Sequence, residues 1–132
     1  MKTVVDTRFL VEYFYTKDKR VKEKIIRKFR ELVSRNKGIL PTIVISEIIK
    51  ITCKRRGIDE AEARYHFLLQ VGFNIAYLTP EIAKEAGILK CKYENIPIGD
   101  CIIASIAKRY GAKILSDDLH FNIIKEVEKE WI

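Results

Sequence analysis

Short apolar segments alternate with longer amphipathic ones along the whole chain, and this alternation restricts the fold more than any other feature. Lys2 to Val5, Ile39-Leu40, Phe73 to Leu78 and Ala112 to Leu115 read as buried strands. Between them the apolar spacing turns helical. A short helix is expected from Thr7 to Phe14, with Asp6 or Thr7 as its cap. A basic amphipathic helix follows from Asp18 to Asn36, with Val21, Ile25, Phe29 and Leu32 on one face and Gly38 placed to end it in a left-handed cap. Thr42 to Arg56 forms the next, stopped by Gly57. Asp59 and Glu62 resemble a capping box for another through about Leu69. Thr79-Pro80 opens a helix toward Tyr93, and Ile98 to Tyr110 forms one ended by Gly111. Asp117 to Ile132 reads as a loop, a short helical turn and a tail.

Strands separated by helices pair in parallel, and right-handed crossovers lay the helices over both faces of the sheet. The expectation is an α/β three-layer sandwich with a central parallel sheet of about four to five strands. At 132 residues the chain suits a single domain, 1–132, able to bury a core without staples. Three cysteines, Cys53, Cys91 and Cys101, form no C-x-x-C pair, which argues against a disulfide framework or a zinc knuckle and points to a reducing cytoplasm. The longest apolar stretch, Ile39 to Ile51, is broken by Pro41, Ser46, Glu47 and Lys50, so neither a signal peptide nor a membrane span is expected.

The formal net charge is +7, and 16 of the 25 Lys and Arg fall within residues 1–60. They concentrate between Lys17 and Lys37 and again at Lys50, Lys54, Arg55 and Arg56. Such clusters serve either as solvated helix faces or as a field that attracts a polyanion.

Against this basic background, acids stand at the ends of apolar segments: Asp6 after the first strand, Glu47 within Ile43 to Ile49, Asp100 before Ile102-Ile103-Ala104, and Asp117-Asp118 after Ile114-Leu115-Ser116. In a parallel sheet, ligands gather beyond the carboxyl ends of the strands, where Asp6 and Asp117-Asp118 emerge. Oxygen ligands in a loose ring suit Mg²⁺ or Mn²⁺, and chemistry of that kind needs no His, Cys or Ser nucleophile. Each acid also has an ordinary structural use. Asp6 can cap a helix, Glu47 can pair with Lys50, Asp100 can favour a helix N-terminus, and Asp117-Asp118 can shape a turn. His66 and His120, with no second histidine at ligand spacing, read as structural or surface residues. No G-x-x-x-x-G-K-[ST] or G-x-G-x-x-G occurs, and Asp6-Thr7-Arg8 lacks the second aspartate of an aspartate-nucleophile phosphatase.

The ordered set of motifs resembles the PIN domain and, within it, the small VapC toxins of toxin–antitoxin pairs. Val4-Val5-Asp6-Thr7-Arg8-Phe9-Leu10 looks like the family's opening strand and first aspartate, and Ile45-Ser46-Glu47-Ile48 like its helical glutamate. Gly99-Asp100-Cys101-Ile102-Ile103-Ala104, continuing to Tyr110-Gly111-Ala112 and closing in Ile114 to Phe121, is the most specific stretch. The resemblance implies a Mg²⁺- or Mn²⁺-dependent endoribonuclease in which Asp6, Glu47, Asp100 and Asp118 are catalytic and carry the metal, with Thr7 and Ser116 supporting the carboxylates. Many members place another acid two residues beyond the fourth; here that position is His120, and Asp117 is the substitute donor. A homodimer is implied, together with an antitoxin whose basic side chain blocks the acidic groove.

The expected substrate is single-stranded or structured RNA, steered by the basic helices. The alternatives are an inactive PIN-like RNA- or partner-binding module, an RNA-processing nuclease outside toxin–antitoxin systems, and a structure-specific DNA nuclease. Larger relatives of the last kind usually carry added helical DNA-binding elements, which so short a chain lacks.

Overall fold

The structure, a computed structural model, describes residues 1–132. Five strands form one parallel sheet: β1 (Thr3–Val5), β2 (Gly38–Pro41), β3 (Asn74–Ala76), β4 (Lys113–Leu115) and β5 (Lys129–Glu130). Seven helices connect them: α1 (Thr7–Tyr15), α2 (Lys19–Ser34), α3 (Thr42–Arg56), α4 (Ile58–Gln70), α5 (Pro80–Lys92), α6 (Ile98–Tyr110) and α7 (His120–Ile123). The α/β sandwich expected from the alternation is the fold observed.

Strand order is β3-β2-β1-β4-β5. From β1 the chain steps outward to β2 and β3, then returns over the sheet to β4 on the other side of β1. Right-handed crossovers therefore assign α1 to α4 to one face and α5 and α6 to the other. The order reverses between β1 and β4, which opens a crevice at their carboxyl ends. Registers Val4↔Ile114 and Val5↔Leu115 bring Asp6 and Ser116, one residue further on each strand, side by side.

A continuous core of 29 buried residues sits between the layers. Helix α6 supplies an unbroken buried run from Cys101 to Ala107, as expected of a segment apolar on nearly every side. It packs on β1, β4 and α5. No helix is long and apolar enough to cross a membrane.

Two local expectations are corrected. The residue with left-handed backbone after α2 is Asn36, with φ of 54°, and Gly38 instead begins β2. Gly38 is needed for space: a Cβ there would stand 2.6 Å from the Phe73 ring. Asn tolerates the left-handed region because its short side chain bonds locally. The Asp59–Glu62 capping box does not form, since Gly57, at φ of 94°, ends α3 and starts α4, leaving Asp59 inside the first turn. The tail supplies β5 beside β4, the fifth of the four to five strands expected. Thr79 caps α5 by accepting from the Ile82 amide at 3.2 Å, and Gly111 ends α6 with φ of 61°.

Candidate metal centre

The carboxyl ends of β1 and β4 are tied together by one hydroxyl. Ser116, fully buried, donates to Asp6 Oδ2 at 2.6 Å and accepts from the Asp118 amide at 3.0 Å. Asp6 stands at the cap position of α1 yet forms no side-chain cap hydrogen bond; its carboxylate is held by Ser116 instead. The capping role that its position after a strand suggests is not the one it plays. Only 3% of Asp6 is exposed, and burial pushes its pKa from 3.8 up to about 6. The Ser116 hydrogen bond opposes that rise, while the charges of Asp100 and Glu47 add to it.

Helices bring the other acids to the same place. Glu47, in the second turn of α3, accepts a 2.7 Å hydrogen bond from the Thr7 hydroxyl rather than pairing with Lys50. Thr7 is the first residue of α1, so the helix that follows Asp6 also orients Glu47. Asp100 lies in the first turn of α6. A Cβ on its neighbour Gly99 would come within 3.5 Å of Glu47 Oε2, which shows how closely that turn approaches α3. Asp100 is half-buried, and its pKa is raised by that burial and by Asp118, against a hydrogen bond with His120 that lowers it. Asp6, Glu47, Asp100 and Asp118 all line one open cleft of about 440 Å³.

Asp117 and Asp118 are adjacent in sequence but separate in role. Asp118 turns into the cleft, its Oδ1 accepting from the His120 amide at 2.9 Å. Asp117, expected as an additional donor, forks with Arg8: the guanidinium Nε donates to Oδ1 and an Nη donates to Oδ2 at 3.2 Å. That partner holds the Asp117 carboxyl below the usual range. Asp117 does not line the cleft.

His120, expected as a structural or surface residue, is joined to the acids: its Nδ1 lies 2.7 Å from Asp100 Oδ2 and 3.3 Å from Asp118 Oδ1. The spacing of histidines gave no sign of this, since its partners are aspartates from α6 and the β4 loop. Arg8, Glu12 and Arg55 also border the cleft. Glu12 was readable in principle, because it follows Arg8 by one helical turn on α1.

The PIN domain model matches residues 3–127. The chain belongs to the PIN domain family. Solved structures resemble it over nearly their whole lengths. A chain of VapBC2 from Rickettsia felis, solved bound to a promoter DNA fragment, superposes with a TM-score of 0.80 at 18% identity, covering 99% of this chain and 98% of that one. DNA-bound VapBC from Salmonella typhimurium gives a TM-score of 0.79 at 18% identity, with 99% and 98% coverage. VapC20 of Mycobacterium tuberculosis, a toxin that cleaves the sarcin-ricin loop, gives 0.77 at 17% identity, with 96% and 98% coverage. No curated protein matches this PIN domain in sequence.

Proposed function

We propose that residues 1–132 act as one PIN-like domain, an endoribonuclease that hydrolyses RNA phosphodiester bonds at a Mg²⁺ or Mn²⁺ site held by Asp6, Glu47, Asp100 and Asp118. The observation that carries this reading is the convergence of four carboxylates from β1, α3, α6 and the β4 loop on one cleft. The donor set fits a hard divalent ion, which takes carboxylate oxygens and keeps room for water and phosphate. Burial and like charge raise Asp6 to about 6, a cost that a cation among these acids reverses. When bound, such an ion stabilises charge on the scissile phosphate and provides a water of lowered pKa.

The chain's own groups prepare the rest. Ser116 fixes Asp6 and the Asp118 backbone together, and Thr7 fixes Glu47, so two of the carboxylates and the Asp118 loop are oriented before substrate arrives. Arg55 on the cleft wall offers phosphate a cationic contact, and the basic face of α2 contributes to the field that draws RNA in.

The VapBC and VapC likenesses support the narrower reading of a toxin paired with an antitoxin; the homodimer and a basic antitoxin segment in this cleft are part of the proposal. The test is cleavage of a mixed-sequence single-stranded RNA by wild type and Asp100→Asn, each with Mn²⁺, Mg²⁺ or EDTA. Cleavage confined to wild type with metal is expected, with a loss in the variant of about a thousandfold, the scale of several kcal/mol of metal charge stabilisation. Full metal-dependent activity in a folded Asp100→Asn would overturn the assignment. Absence of cleavage across a panel of RNAs would leave a binding module.

A further inference from the structure

His120 stands beside the cleft, against two of the acids that line it. Its backbone amide is fixed by Asp118 Oδ1 at 2.9 Å, so the start of α7 is set by a proposed metal ligand. Its ring is then carried over Asp100, with Nδ1 at 2.7 Å from Oδ2 and at 3.3 Å from Asp118 Oδ1. One donor atom from each of Asp100, Asp118 and His120 lies within 4.8 Å of the others. Neighbouring ligands on an octahedral ion with bonds of about 2.1 Å stand about 3.0 Å apart. The separations of 2.7 and 3.3 Å bracket that edge. The tautomer decides what fills this gap: with its proton on Nδ1 the ring donates to the carboxylate, and with its proton on Nε2 the Nδ1 lone pair can share a metal ion with it.

We propose that His120 is a nitrogen ligand of the divalent-ion site and that the site therefore favours a transition-metal ion such as Mn²⁺ over Mg²⁺. The proposal rests on the nuclease reading above. Its chemical basis is donor preference: imidazole suits first-row transition ions, whereas Mg²⁺ selects oxygen and gains little from nitrogen. An imidazole donor adds no negative charge to the site, which suits an ion that gains from nitrogen better than one that selects anionic oxygen. His120 is a ligand from the loop side of the cleft, with its side chain 40% exposed, and its replacement leaves the buried core untouched.

The probe is Mn²⁺ alone, added to the metal-free protein and read by pulsed electron paramagnetic resonance for ¹⁴N coupling, with Mn²⁺ and Mg²⁺ affinities from calorimetry. The chain has only two histidines, and His66 lies on α4 beside Glu62, so His120→Asp isolates the signal. Expected are strong imidazole ¹⁴N coupling in wild type, its loss in His120→Asp with Mn²⁺ still bound, and a Mn²⁺/Mg²⁺ affinity ratio that falls about tenfold in the variant. Mn²⁺ that binds wild type, fails to bind Asp100→Asn and shows no imidazole coupling would overturn the histidine ligand while leaving the metal site standing. No Mn²⁺ binding to wild type would remove both.

Discussion

The two walls of the cleft are built by different means. On the strand side, Asp6 and Ser116 extend from paired strands, are buried, and are joined by a 2.6 Å hydrogen bond. On the loop side, Asp100, Asp118 and His120 are only partly covered and meet mainly through side chains. The first wall rests on the pairing of two strands, the second on the first turn of one helix and one loop. Substitutions should separate the two.

The largest separation is expected at Ser116→Ala. It removes the hydrogen bond to Asp6 and leaves the Asp118 amide without its partner, so both walls lose a common support. Metal affinity should fall by about 10- to 100-fold, with about 1–3 kcal/mol of stability lost, measured by Mn²⁺ titration and chemical denaturation. An unchanged affinity would show that the strand wall is not fixed through Ser116.

Next comes Asp6→Asn in the metal-free protein. Folded Asp6 releases its proton at about 6 against an ordinary 3.8, so in that interval the native state holds a proton that the unfolded chain has lost. Stability from this group is complete below the lower value and disappears as pH rises through about 6. At neutral pH the ionised carboxylate is therefore a cost, and Asn should raise stability by about 3 kcal/mol while abolishing cleavage. Denaturation of both proteins at pH 4 and pH 7 checks the sign: the gap between them should close at acid pH.

The smallest effect belongs to Asp117→Asn. Its pair with Arg8 is exposed, and such pairs contribute about 1 kcal/mol or less. Metal binding should stay within about twofold of wild type by calorimetry, at the level that so small a term allows. A large loss would place Asp117 in the site despite its neighbour's better position.

Much of this was legible in the chain because the sheet and the first wall share a cause. Strand periodicity located β1 and β4, and a parallel sheet sends their next residues, Asp6 and Ser116, to one end. Thr79 and Gly111 likewise announced boundaries that local backbone chemistry enforces. The loop wall was less readable. Whether Asp117 or Asp118 enters the cleft depends on Arg8, more than a hundred positions away, and His120 gains its meaning from Asp100 on another element. Gly38 was misleading for the same reason, since the ring that requires it is Phe73 on the approach to β3. Local signals set elements; contacts between distant elements set which side chains share the cleft.

The most direct test of the account is an anomalous diffraction map from crystals soaked in Mn²⁺. The account predicts a peak in the cleft at about 2.1 Å from carboxylate oxygens of Asp6, Asp100 or Asp118, the distance typical of a hard divalent ion. A saturated crystal with no peak there, or with its peak at Asp117 and Arg8, would contradict it.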